Sequence, residues 1–366
     1  MTQHQSYATT QHNNVKPGKS FENSDSDIKE EMNDEIISMQ DIMEARERIE
    51  DAAHYTPVDE SSTFAEKSGA EKVCFKLENF QRTGAFKIRG AYNKIAQLSE
   101  DRKEKGVIAA SSGNHAQGVA MAAQELGVDA TIVMPEGTPE AKKEATAGYG
   151  AEVVLEGEDY EESYLYARKL EEEKDLTFVH PYNDRDVMAG QGTLGLEIVE
   201  QFPEVDTVLV AVGGGGLISG VARPVKAYNP DAKVVGVQTE GCGSAKETLE
   251  SGEVYERDSV DTVAGGIATR KVGELSKKHM LELVDEVVYV SDEQVKAAQA
   301  LLAERQKVVV EPAGAVAAAA CLFNQELEDL DLSGENVAVP LCGGNTDLEK
   351  FSEHVKTGKE VLEEVM

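Results

Sequence analysis

Short apolar runs alternate with longer mixed segments along most of the chain. Val73-Cys74-Phe75-Lys76-Leu77, Gly106–Ala110, Ala130–Met134, Glu152–Leu155, Thr207–Val212, Val234–Gln238, Glu286–Val290 and Val337–Leu341 read as short strands. The segments between them read as helices: Phe86–Leu98, Asn114–Leu126, Glu140–Gly148, the acidic Tyr160–Glu173, Leu217–Tyr228, Asp292–Glu304 and the Ala-rich Gly314–Phe323. Ahead of them, Ile42–Ala52 has helical spacing and leads into Tyr55-Thr56-Pro57. That stretch is extended, because the residue before a proline is pushed out of the helical region. Short apolar strands separated by helices predict an α/β fold whose mostly parallel sheet is covered on both faces. No segment repeats with a fixed period, so a solenoid is not expected. Residues 1–38 are rich in Asn, Ser, Gln and Asp, a composition too polar to offset the entropy of ordering, and a disordered tail is expected there.

Charge narrows the partners. The 366 residues carry 68 acidic and 36 basic side chains, a formal net charge of −32. Such a chain repels phosphate backbones and anionic lipid, which argues against nucleic acid and membrane surfaces as partners. The acidity is spread from Glu22–Asp51 through Glu156–Glu173 and Glu326–Asp331 to Glu360–Glu364, as on a surface adapted to high salt. No run approaches ~18 apolar residues and no secretory leader is evident, so neither a membrane span nor export is expected. Cys74, Cys242, Cys321 and Cys342 lie far apart, without the paired spacing of a disulfide framework or structural zinc site. Free thiols in a reducing cytoplasm are the simplest reading.

Four segments carry chemistry. In Thr83-Gly84-Ala85-Phe86-Lys87-Ile88-Arg89-Gly90-Ala91 a lysine between apolar neighbours opens a helix. Most lysines are solvated surface groups; desolvation here would turn Lys87 into an amine nucleophile of the Schiff-base kind. Ser111-Ser112-Gly113-Asn114-His115-Ala116-Gln117-Gly118 follows a strand and opens a helix. Its N–H groups, hydroxyls and amide suit a carboxylate, beyond ordinary helix capping. Gly213-Gly214-Gly215-Gly216-Leu217 lets the backbone wrap an anion such as phosphate. It lacks the Lys-Ser/Thr ending of an ATP-binding P-loop and the third glycine of a dinucleotide fingerprint. Leu341-Cys342-Gly343-Gly344-Asn345 follows the last strand.

In this order and spacing the four segments resemble the fold-type II pyridoxal-phosphate enzymes, over roughly residues 42–348. Within that family the chain is similar to threonine (serine) dehydratases, also called threonine ammonia-lyases, and to the related serine racemases. T-G-A-F-K-I-R-G-A is the dehydratase form, and Val310-Glu311-Pro312-Ala313-Gly314-Ala315 and Val263-Ala264-Gly265-Gly266-Ile267-Ala268 also look like dehydratase segments. The resemblance implies two open-sheet α/β domains of the tryptophan synthase β-like kind with the cofactor between them. Residues 106–181 would form the smaller domain, and residues 39–105 with 182–366 the larger.

It also implies roles. Lys87 would bind the aldehyde of pyridoxal 5'-phosphate and then remove the substrate Cα proton. Phe86 would cover one face of the ring, Asn114 would meet its 3-oxygen, Cys342 would contact its nitrogen, and Gly266 would also lie among the cofactor-binding residues. Gly213, Gly214, Gly215, Gly216 and Leu217 would hold the phosphate. Ser111, Ser112, Asn114 and His115 would receive the substrate carboxylate. In the racemase branch the position of Ser112 is an acid/base on the opposite face. The implied reaction is deamination of a small hydroxy amino acid, L-threonine or L-serine, to 2-oxobutanoate or pyruvate and ammonia. Serine racemase and threo-3-hydroxyaspartate ammonia-lyase are the alternatives on the same scaffold. Gln238 stands where racemase-like relatives place a glutamate for a divalent cation, so no metal is expected. Asn345 lies close to the end of the chain, so a C-terminal regulatory domain is not expected, and a homodimer or homotetramer is.

Overall fold

Among residues 36–365, which the computed structural model describes, ten strands build two sheets. In chain order they are β1 (Val58–Glu60), β2 (Lys72–Lys76), β3 (Val107–Ala110), β4 (Ala130–Met134), β5 (Glu152–Leu155), β6 (Thr177–Phe178), β7 (Thr207–Ala211), β8 (Lys233–Thr239), β9 (Glu286–Val290) and β10 (Asn336–Pro340). The larger sheet has the order β1-β2-β10-β7-β8-β9, the smaller β5-β4-β3-β6. All pairings are parallel except that of β1 with β2. In the larger sheet Val337 of β10 pairs with both Val73 and Thr207, and Val208 pairs with Val234. The sheet order thus brings the loop after β10 beside the loop after β7, at the strand ends where open α/β sheets bind ligands.

Local sequence explains the covering helices. Pro312–Leu322 starts with proline at its first position, where a missing N–H costs nothing, and its small side chains let it lie wholly buried on the larger sheet. Arg185–Gln201 has no counterpart in the sequence reading. It carries Gly190, Gly192 and Gly195 and is buried on nearly all sides, so it lacks the polar stripe that betrays a surface helix. Its glycines are closely packed: a Cβ at Gly190 would meet the backbone of Arg89 and Gly90 at 2.5–2.8 Å.

Three expectations need correction. The first helix among the described residues is Met39–Ile49, three residues earlier than expected, because Ser38 and Asp41 form a reciprocal capping box. The helix expected to reach Glu304 ends at Leu301 and passes into a π-helical turn, Leu302–Gln306. The polar tail ends before residue 38: Ile37 is fully buried and its N–H donates to His279 Nε2 at 2.9 Å. The rest of that tail, residues 1–35, lies outside the described residues.

Candidate active site

The four chemistry-bearing segments meet at one place. Phe86 N–H donates to the Cys342 carbonyl at 3.1 Å, and Ala85 bridges Gly343. Asn345 Nδ2 donates to Asn114 Oδ1 at 2.9 Å, which joins the loop after β10 to the loop after β3. A side chain on Gly214 would run into the ring of Tyr182, and Lys87 Nζ donates to the carbonyl of the neighbouring Pro181 at 2.9 Å. The segment after β6 therefore links the lysine to the glycine loop.

Lys87 is the first residue of the helix Lys87–Ala96. Two other helices grip that helix through glycines. Gly118 of Asn114–Leu126 approaches so closely that a Cβ would sit 3.1–3.2 Å from Lys87 and Ile88 backbone atoms; Gly190 does the same at Arg89. The amine lies 5.0 Å from the Phe86 ring centroid. Removal from water lowers its pKa to about 8, only partly offset by Cys342 and Glu311 nearby. At pH 7 roughly one such amine in ten is neutral, against a few in ten thousand for a free lysine.

In the loop after β3, Ser111, Ser112 and Asn114 are half-buried, and Ser111 Oγ accepts the Gly113 N–H at 3.2 Å. His115 is the buried member of the segment. Its imidazole is buried, Nε2 bonds the Val179 carbonyl at 2.8 Å, and burial pushes its pKa down to about 3. The ring is thus a neutral packing group, and only the main chain of His115 remains to meet a carboxylate.

Gly215 has φ +90°, a left-handed backbone that favours glycine, and it caps the helix Gly216–Tyr228. Substituents at Gly216 would strike the Tyr182 backbone, so the cradle has no room for side chains. Leu217 packs its side chain into the core of the larger sheet, which leaves its N–H to the cradle. Gly213 lies against Ile267, the residue after Gly266, and this brings the short turn Gly265–Ile267 to the same place. Cys342 is buried; its thiol donates weakly to the Pro340 carbonyl at 3.5 Å, and burial pushes its pKa far up.

Sequence reasoning passed over four residues here. Glu311 accepts the Asn114 Nδ2 hydrogen at 2.5 Å. Pro181 and Tyr182 meet the lysine and the glycines from an irregular segment that has no periodic signal. His180, beside them, accepts the N–H groups of Tyr182 and Asn183 at Nδ1, so its proton sits on Nε2. Burial lowers its pKa to about 4.

The residues present fit pyridoxal phosphate: a desolvated lysine amine for its aldehyde, and a side-chain-free cradle at a helix start for its phosphate. They do not fit a cation at Gln238. Its Oε1 accepts the N–H groups of Ser244 and Ala245, each at 2.8 Å, and so serves as a helix cap. Among the described residues no His, Cys, Asp and Glu group is arranged to hold a metal ion. Nor is any described helix long and apolar enough to cross a membrane.

Comparison with known proteins identifies the family. The L-threonine ammonia-lyase of Thermotoga maritima is 46% identical over 323 residues, 88% of this chain and 79% of that protein. Maize serine racemase superposes with a TM-score of 0.83 at 35% identity, covering 89% of this chain and 99% of its own. The serine racemase of Dictyostelium discoideum superposes with a TM-score of 0.79 at 38% identity, covering 85% and 99%. The family model described as pyridoxal-phosphate dependent enzyme matches residues 49–343, and the chain belongs to that family.

Proposed function

We propose that the protein is an L-threonine ammonia-lyase that also accepts L-serine. It eliminates the β-hydroxyl and yields 2-oxobutanoate or pyruvate with ammonia. The observation that carries this is the desolvated Lys87 amine on the Pro181 carbonyl, beside the Ser111–Asn114 loop, in a chain 46% identical to an L-threonine ammonia-lyase.

Gly213–Gly216 and the Leu217 N–H would hold the cofactor phosphate, Asn114 the ring oxygen, Phe86 one face of the ring and Cys342 the ring nitrogen, with Gly266 also among the cofactor-binding residues. When bound, pyridoxal phosphate supplies the electron sink for the charge left at Cα. The residues do the rest. Lys87 Nζ, neutral in a usable fraction at pH 7, takes the Cα proton. Ser111, Ser112 and the N–H groups opening the Asn114–Leu126 helix orient the substrate carboxylate. Cys342 remains a neutral thiol, so no fixed charge keeps the ring nitrogen protonated. Negative charge held near Cα favours prompt loss of the β-hydroxyl, which leaves as water with the proton that Lys87 took from Cα. By the resemblance to the racemase branch, Ser112 would stand on the opposite face and return a proton there, and the likeness to maize serine racemase keeps that activity as the second reading.

The test is steady-state turnover of L-threonine, L-serine and threo-3-hydroxyaspartate in high salt, with chiral analysis of recovered amino acid. Threonine should give 2-oxobutanoate, and Lys87→Ala should lose at least roughly 10²–10⁴-fold of the rate. Turnover of 3-hydroxyaspartate alone, or D-serine as the main product, would overturn the assignment. The same reading takes the enzyme to be a cytoplasmic homo-oligomer. All four cysteines are buried free thiols, in keeping with a reducing compartment, and light scattering reads the mass in solution.

A further inference from the structure

The Asn114 amide is held from both ends, and the direction of each bond is forced. The Thr83 carbonyl can only accept, so the group facing it at 2.7 Å is Asn345 Nδ2. The same nitrogen donates to Asn114 Oδ1 at 2.9 Å, which turns Asn114 Nδ2 onto Glu311 Oε1 at 2.5 Å. One Asn114 N–H is thereby used and one is left for a ligand. Gly343 makes room for the carboxyl, since a Cβ there would overlap Oε1.

We propose that Glu311 is a positioning residue: through this one-way chain it fixes Asn114 as a donor to the cofactor's ring oxygen, and its carboxyl takes up and releases a proton without breaking that contact. The proposal rests on the reading above only in placing the cofactor against Asn114. Lys87 and Lys142, on helices Lys87–Ala96 and Glu140–Ala147, favour the ionised carboxylate, while the Cys342 thiol faces it from the loop after β10. Glu311 is half-buried, yet loss of water outweighs the Asn114 hydrogen bond and both cations and raises its pKa to about 7. In either protonation state an oxygen remains for Asn114 to donate to.

Glu311→Gln keeps an acceptor oxygen but cannot ionise, and Glu311→Leu removes the acceptor. Wild type and both variants are loaded with pyridoxal phosphate, their absorption spectra recorded across neutral pH without substrate, and kcat and KM measured on threonine. In Glu311→Leu the spectrum should shift and kcat fall by roughly 10²-fold, with KM nearly unchanged. Glu311→Gln should restore the spectrum and bring kcat to within about fivefold of wild type, while abolishing the spectral change that wild type shows near neutral pH. A Glu311→Leu protein with the wild-type spectrum overturns the proposal. So does a Glu311→Gln protein that titrates like wild type or is as impaired as the leucine variant. Should circular dichroism show the leucine variant unfolded, the titration of Glu311→Gln decides alone. The spectra need no turnover, so failure of the threonine assignment leaves this test intact.

Discussion

Glu197→Gln probes the anchor of the reactive helix. Lys76, Glu78 and Arg89 are at most 1% exposed and Glu197 is 6% exposed, and together they balance two positive with two negative charges. Arg89 donates Nη1 to Glu197 at 2.6 Å, and Nε and Nη2 to Glu78 at 2.8 Å each. Lys76 Nζ donates to Glu197 at 2.5 Å, to the Thr56 carbonyl at 2.6 Å and to Gln201 at 2.7 Å. Neutralising Glu197 leaves one uncompensated cation where water cannot reach it. Breaking a buried pair in this way costs about 3–5 kcal/mol. For a protein of this size that is a fall in Tm of roughly 5–15 °C. Lys76 sets the upper limit, since burial already lowers its pKa and loss of its proton would relieve the imbalance. Calorimetry and urea midpoints of Glu197→Gln, and of the double variant with Lys76→Met, measure the effect. The double variant restores neutrality and should be more stable than Glu197→Gln alone. Because ions cannot enter the network, both differences should be insensitive to salt. A loss under about 1 kcal/mol, or no recovery in the double variant, would refute the reasoning.

Three further outcomes are expected. Gly214→Ala, whose methyl would strike the Tyr182 ring, should weaken cofactor binding at least about tenfold, read by fluorescence titration of the cofactor-free protein; unchanged affinity would remove the cradle from the account. In the cofactor-free protein, Glu311 has a folded pKa raised from 4.5 to about 7, so its stabilisation is complete below 4.5 and lost as pH rises through 7. Relative to Glu311→Gln, wild type should therefore lose up to about 3 kcal/mol from acid to mildly alkaline pH. The difference between the two proteins is the quantity to measure, because His115 and His180, with lowered pKa values, stabilise in the opposite direction, above 6.5 and less as pH falls. Finally, the net charge of −32 should make Tm rise with added KCl as screening contracts from about 10 Å at 0.1 M to about 3 Å at 1 M; a flat salt response would dismiss salt adaptation.

Eight of the ten described strands and the site motifs were legible because each has a local cause; the short edge strands β1 and β6 were not. Thr207–Ala211 is five buried residues of mostly β-branched or aliphatic type, and four consecutive glycines at 213–216 stand out, although a plain tight turn is the competing reading. What escaped depends on tertiary contact. Arg185–Gln201 hides because burial on all sides erases periodicity and its glycines argue against a helix. Glu311 stood in plain view within Val-Glu-Pro-Ala-Gly-Ala, but nothing local says that its carboxyl will reach Asn114, 197 residues away. His115 shows that a chemically capable side chain can be engaged elsewhere: its imidazole is held by the Val179 carbonyl, and any part it takes in carboxylate binding falls to its main chain.

The central claim, that Lys87 is the group that covalently carries pyridoxal phosphate, is tested most directly by borohydride reduction of the loaded protein followed by peptide mass mapping. The account predicts one reduced pyridoxyl mass, on the peptide containing Lys87, and none in Lys87→Ala. A label on another lysine, or a loaded protein that takes up no label, would contradict it.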